Sequence, residues 1–91
     1  MFYLVSYDVV DDKRRTKISQ KLEDYGKRVQ YSVFECILDD KKIEELKEKI
    51  LEILDEDEDS IRIYNLCQSC IKNVKVFGIG QITSDPDVYI V

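Results

Sequence analysis

Phe2-Tyr3-Leu4-Val5-Ser6-Tyr7-Asp8-Val9 is the segment that most narrows what this chain can fold into. It is aromatic and β-branched, so it reads as a strand buried on both faces. A carboxylate closes it. An ionised Asp8 beside apolar strand residues costs desolvation energy unless it is paired, hydrogen-bonded or bound to a cation. Two readings follow, a ligand for a divalent metal or a turn residue capping the next loop.

The pattern then changes period. Asp11 and Asp12 offer an N-cap and favourable charge for a helix start. Ile18, Leu22 and Tyr25 form an apolar stripe that stops at Gly26, which predicts a first helix over about residues 12–26. Val29 to Leu38 reads as strand again, kinked or split near Tyr31-Ser32. Asp39 and Asp40 cap a second helix with the stripe Ile43, Leu46, Ile50 and Ile53/Leu54. Ser60 to Leu66 is a further strand, Cys67 to Lys72 a turn or short helix, and Asn73 to Ile79 a last strand closed by Gly78 and Gly80.

With the 29–38 segment split in two, this is an α+β chain on the βαββαβ plan of ferredoxin-like domains. Two helices would cover one face of an antiparallel sheet. The other face is apolar with nothing left to cover it, and a second copy is the simplest cover, so a homodimer is expected. Val88-Tyr89-Ile90-Val91 ends the chain with four β-favouring residues. We expect the strand in 84–91 to add to an edge of the partner's sheet, with packing inside its own chain as the alternative.

Ninety-one residues make a single domain, 1–91, with a thin stability margin. No stretch reaches the length of a membrane span and the first ten residues lack a signal-peptide pattern, so no membrane association and a cytoplasmic location are expected. Three cysteines argue against a secreted disulfide framework. Histidine is absent, which removes Ser-His-Asp and Cys-His catalysis and His-containing zinc sites. Any catalysis must use carboxylates, amines, hydroxyls, thiols or a bound metal.

The net charge is −5, unevenly spread. Residues 1–35 hold seven Lys/Arg against six Asp/Glu, and residues 39–59 hold four against eleven. Lys13, Arg14, Arg15 and Lys17 crowd the start of the first helix, where cations oppose the helix dipole. Pairing of Arg15 with Asp11 is one explanation; contact with phosphate is the other. Cys67-x-x-Cys70 reads as ordinary small buried side chains, as a disulfide or redox pair, or as half of a four-thiolate metal site.

Tyr7-Asp8-Val9, Asp12-Lys13-Arg14-Arg15-Thr16-Lys17, Gly26 and Arg28-Val29-Gln30-Tyr31-Ser32-Val33-Phe34-Glu35 together resemble the CRISPR-associated Cas-two family. Ile61-x-Ile63-Tyr64-x-Leu66 and Val76-Phe77-Gly78 extend the resemblance over nearly the whole chain. It implies a ferredoxin-like homodimer whose C-terminal strands reach the partner. It implies a Mg²⁺- or Mn²⁺-dependent endonuclease on RNA or DNA, taking part in spacer acquisition beside the Cas-one integrase. The family's Tyr-Asp pair matches Tyr7 and Asp8, with Asp8 the metal ligand, and its functional positions match Arg15, Lys17, Arg28 and Phe34. Joined with the basic helix start, the candidate catalytic residues are Tyr7, Asp8, Arg15 and Lys17 and the candidate nucleic-acid contacts Lys13, Arg14, Arg15, Lys17, Arg28 and Phe34. Lys17 can keep a point-charge contact but not arginine's planar fork.

One carboxylate per protomer is a poor metal site, because Mg²⁺ wants several oxygen ligands. Two Asp8 residues facing each other across a two-fold axis would hold an ion, polarise a phosphate and activate water. Competing readings are a non-catalytic DNA-binding adaptor for the integrase, a toxin ribonuclease of the VapD group that shares the fold, and a metallochaperone using Cys67 and Cys70. The last fits poorly, since such domains carry their CxxC after the first strand, where this chain has Asp-Asp-Lys-Arg.

Overall fold

A computed structural model of the chain describes residues 1–78. Its elements run β1 (Phe2–Asp8), α1 (Asp12–Glu23), β2 (Lys27–Gln30), β3 (Val33–Ile37), α2 (Asp40–Ile53), β4 (Ser60–Leu66) and α3 (Gln68–Lys72). The strands form one sheet in the order β2-β3-β1-β4, with β1 antiparallel to both β3 and β4. This is the ferredoxin-like arrangement. The 29–38 segment is indeed two strands, turning at Tyr31-Ser32. The β2–β3 ladder slips between Arg28 and Gln30, and Val29 is left 39% exposed at the irregularity.

Alternation decides which side chains face the helices. Tyr3, Val5 and Tyr7 of β1 point inward with Phe34 and Cys36 of β3. They meet Ile18 and Leu22 from α1 and Ile43, Leu46 and Ile50 from α2. The opposite β1 positions do not bury equally: Leu4 and Ser6 are half-buried and Asp8 is exposed. The expectation of a strand buried on both faces is therefore corrected, because among the described residues no layer covers that side. Only Phe2 is sealed there, at 1% exposure, by a small pocket wall that includes Ile37, Leu66 and Ile71 of α3.

Both helix caps form as the sequence predicts. Asp11 accepts from the Arg14 backbone N–H at 2.9 Å, and Asp39 from that of Lys42 at 2.8 Å. α1, however, stops at Glu23 with Asp24 as its C-cap, three residues before Gly26. Gly26 has a different task. A Cβ there would lie 2.4 Å from both the Cys36 Sγ and the Glu35 carbonyl oxygen. The glycine lets the chain enter β2 in contact with β3. Lys49 of α2 closes over the same corner, donating to the Tyr25 hydroxyl at 2.7 Å.

Asn73 to Ile79 is the other correction. Its described part, 73–78, is not strand, and Val76 and Phe77 are 47% and 87% exposed. Ile79, Gly80 and the expected C-terminal strand in 84–91 lie outside the described residues. No described helix is long and apolar enough to cross a membrane.

Gly26→Ala should destabilise the fold by about 1–3 kcal/mol, the usual cost of forcing atoms into a packed site. A urea titration followed by circular dichroism checks this; an unchanged midpoint would show that β2 can move away from β3 without loss.

Candidate metal centre and nucleic-acid interface

Asp8 is the last residue of β1, on the face of the sheet that the helices leave open. Strand pairing sets Ser60 of β4 opposite it, and Ser6 opposite Arg62. These four residues and Tyr7 line an open pocket of about 270 Å³. A second, of about 250 Å³, is lined by Tyr7, Asp8, Val9, Arg15, Tyr31 and Ser32. Asp8 therefore borders two concavities, one carrying Arg62 and the other Arg15. It is an accessible, directed carboxylate rather than a buried turn cap.

Arg15 reaches this end because of its helical position. Arg15, Ile18 and Leu22 lie on one stripe of α1, so Arg15 continues the core-facing side one turn beyond the apolar residues. Its guanidinium donates to the Val9 carbonyl at 2.8 and 3.1 Å and pairs with Asp12 at 2.6 Å. Asp12, not Asp11, is its acidic partner, since Asp11 is occupied as the N-cap. Lys17 is elsewhere: two residues on is about 200° around the helix. It falls on an exposed row with Lys13 and Lys21, one lysine per turn, on the side of α1 away from the core. The basic cluster thus divides, and only Arg15 joins Asp8.

Arg14 belongs to neither group. Its Nε donates to Asp59 at 2.8 Å and its other nitrogen reaches Asp59 and Glu58 at 3.2 Å. The Asp59 side chain is wholly buried and also accepts the backbone N–H groups of Val10 and Asp55, each at 3.1 Å. One carboxylate so ties the loop after Asp8 to the loop before Ser60. Arg14 beside it, with those two N–H groups, holds the Asp59 carboxyl down at about 2. The expected phosphate contact by Arg14 is replaced by this internal pair.

Tyr7 and Phe34 are likewise inside. Tyr7 is 4% exposed and its hydroxyl donates to the Tyr31 carbonyl at 3.3 Å, steadying the β2–β3 turn. Phe34 is fully buried, its ring stacked near Tyr7 at 6.3 Å between centroids. A nucleic-acid contact by Phe34 is corrected by strand alternation, which turns it to the helix side with Cys36. Arg28 lies over the Phe34 ring at 5.3 Å and near Glu23 at 3.8 Å, and remains half exposed.

Sequence reasoning missed Arg62, Ser60, Tyr31 and Asp59. Tyr31, at 95% exposure, is an aromatic ring standing free at the hairpin tip beside Asp8 and Arg15. Asp59 was hidden in an acidic run that reads as solvated surface. Arg62 was legible as an outward position in the Ser60–Leu66 alternation, but only the β1–β4 register puts it beside Asp8. Among the described residues no three His, Cys, Asp or Glu side chains gather as a metal cluster. Asp8 supplies hard oxygen that suits Mg²⁺ or Mn²⁺, yet one chain contributes a single carboxylate.

The cysteines reverse the expected order of burial. Cys36 is the buried one, its thiol pushed up to about 11 by desolvation and the nearby Glu35 charge. Cys67 and Cys70 are exposed, with their sulfurs 3.5 Å apart.

Comparison with known proteins gives one answer. A family model described as CRISPR associated protein Cas2 matches residues 1–74. A CRISPR-associated endoribonuclease Cas2 of Chloroflexus aurantiacus is 47% identical over 91 residues, covering 100% of this chain and 98% of that protein. The crystal structure of Streptococcus pyogenes Cas2 superposes with a TM-score of 0.76 at 37% identity, over 86% of this chain and 100% of that one. A chain of a partial Cas6-RT-Cas1–Cas2 complex gives a TM-score of 0.72 at 40% identity, over 82% and 88%.

The Asp59 pair has a pH signature. Its folded pKa, about 2, lies below the ordinary value of 3.8. The pair's contribution is therefore complete above about pH 4 and lost as pH falls towards 2. Asp59→Asn should lower the thermal midpoint at pH 7 and flatten its fall across that window. A variant whose midpoint follows wild type from pH 7 to pH 2 would remove Asp59 from this role.

Proposed function

The chain belongs to the CRISPR-associated Cas2 family, and from that membership we propose that it is a metal-dependent endonuclease of spacer acquisition, with Asp8 as its metal ligand. The observation that carries the reading is the convergence of Asp8 with Arg15, Arg62 and three serines, Ser6, Ser32 and Ser60, at one open end of the sheet. The β1–β4 register brings Arg62 and Ser60 to Asp8, and the Val9 carbonyl with Asp12 holds Arg15 beside it. The exposed carboxylate stabilises no cap, and the two arginines approach it from different elements.

A single Asp8 is too little for a hard divalent ion, and the open face supplies the remedy. Leu4, Val33, Ile37, Tyr64 and Leu66 lie there on alternating positions, with Tyr64 46% exposed. A second copy on that face buries them and brings a second Asp8 towards the first. Among the described residues β4 is an edge strand, where a partner's C-terminal strand would add. The two Asp8 carboxylates would hold Mg²⁺ or Mn²⁺, which would supply Lewis-acid polarisation of the scissile phosphate and lower the pKa of water there.

The protein's own groups do the rest. Arg15 is held by the Val9 carbonyl and Asp12 and lines the pocket, where its charge would meet charge developing on the phosphate. Arg62 offers a second cation across the strand pair. Lys13, Lys17 and Lys21 repel one another along α1, a local cost that strand phosphates offset by lying across the row. Tyr31 gives an unpaired base a face to stack on, which favours single-stranded or frayed substrate. Tyr7 acts by positioning the turn that carries Tyr31.

A second reading has support of its own, because this chain resembles a chain of a complex containing Cas1 and Cas2. On that reading the dimer holds DNA for Cas1 and the lysine row matters more than Asp8.

Cleavage of single-stranded RNA and of duplex DNA, with Mg²⁺ and with EDTA, tests the first reading. Wild type should cut only with metal, and Asp8→Ala should lose about 100-fold or more of the rate while remaining folded. Activity that survives Asp8→Ala would sink the nuclease assignment. Binding separates the roles further. Lys17→Ala should weaken nucleic-acid affinity alike for all sequences and reduce the salt slope by about 1. Spacer acquisition that withstands Asp8→Ala but not the lysine substitutions would favour the adaptor.

A further inference from the structure

Cys67 and Cys70 are used by nothing described above. Cys67 occupies the N-cap position of α3 without a side-chain cap bond, and Cys70 follows on its first turn, so three-residue spacing puts both thiols on one side. Their sulfurs are 3.5 Å apart and both side chains are exposed. Small core-filling cysteines would be hidden, as Cys36 is. A metal site is less favoured, because no third His, Cys, Asp or Glu joins the pair among the described residues.

We propose that Cys67 and Cys70 form a reactive dithiol that a small-molecule disulfide oxidises to an intrachain disulfide. The two sulfurs are not equivalent. The Cys67 thiol is lowered by the backbone N–H of Cys70 and by the hydrogen bond the two thiols share. The Cys70 thiol is raised by its hydrogen bond to Cys67 and by the Cys67 charge. Cys67 is therefore the attacking group and Cys70 the resolving one.

The reaction balances in two exchanges. The Cys67 thiolate attacks one sulfur of the small disulfide, forming a mixed disulfide and expelling one thiolate. Cys70 then loses its proton to solvent and attacks the Cys67 sulfur, expelling the second. The protein dithiol gives up two electrons and the small disulfide becomes two thiols. The bond closes within one turn, so it fixes the start of α3 and links no distant elements. α3 is also the element that covers Phe2, Ile37 and Leu66, and oxidation would stiffen that cover.

The full-length reduced protein, treated with oxidised glutathione in the presence of EDTA, tests the proposal by intact mass and peptide mapping. The expected product has lost two hydrogen masses and joins the Cys67 and Cys70 peptides. Cys70→Ser should instead stop at one glutathione on Cys67, and Cys67→Ser should react several-fold more slowly. Iodoacetamide should label Cys67 fastest and leave Cys36 unlabelled until urea unfolds the chain, which makes Cys36 an internal control. Thiols that stay reduced, a disulfide between two chains, a bond that includes Cys36, or equal labelling of Cys67 and Cys70 would each overturn the assignment.

Discussion

Asp59 and Arg14 make the contact on which the rest of this end of the molecule depends. A wholly buried carboxylate is tolerated because four donors surround it: two nitrogens of Arg14 and the backbone N–H groups of Val10 and Asp55. Val10 follows β1, Asp55 follows α2, and Arg14 lies in the first turns of α1. Three chain segments are thus referred to one group. Because Asp59 directly precedes β4, the same contact sets where Ser60 and Arg62 stand against Asp8. An aspartate whose work is entirely internal makes room for one that is free.

That division runs through the whole sheet. On the helix side, Tyr3, Val5, Tyr7, Phe34 and Cys36 interlock with α1 and α2 and leave no group available for chemistry. On the other side the same strands present Leu4, Ser6 and Asp8 from β1 with Arg62 and Tyr64 from β4. The alternation of one strand separates buried from open side chains residue by residue. Tyr7 and Asp8, neighbours in sequence, fall on opposite sides of that boundary. A pair of adjacent residues can thus carry one motif and two tasks.

Periodicity made most of the framework legible. Asp11 and Asp39 as caps, the split at Tyr31-Ser32, the α2 stripe and the strand over Ser60–Leu66 are all local signals, and local signals are what a sequence displays directly. The site was legible only in part. Asp8 and Arg15 stand where their residue types suggested, but charge density near a helix start does not say which way each side chain turns. The helical angle does, and it sends Lys17 opposite Arg15 while Arg14 goes inward. Arg62 and Asp59 depend on pairing between segments roughly fifty residues apart, which no local pattern encodes. Gly26 misled for a related reason: a glycine after a helix suggests a C-cap, whereas here its lack of a side chain answers a long-range contact with Cys36.

The arithmetic of ligands gives the clearest reason for this chain to act in company. A hard divalent ion needs several oxygens, and the described part of one chain offers one free carboxylate at the strand end. An apolar, half-buried sheet face lies immediately beside it. Either feature alone has an ordinary explanation; a lone aspartate can stay solvated, and a small domain can expose some leucine and tyrosine. Side by side they complement each other, since the contact that would bury Leu4, Ile37 and Tyr64 is also the contact that would bring a second carboxylate to the first. Association would then complete the core and the metal site in a single step, and a chain with too little surface to bury would gain both stability and chemistry from its own copy.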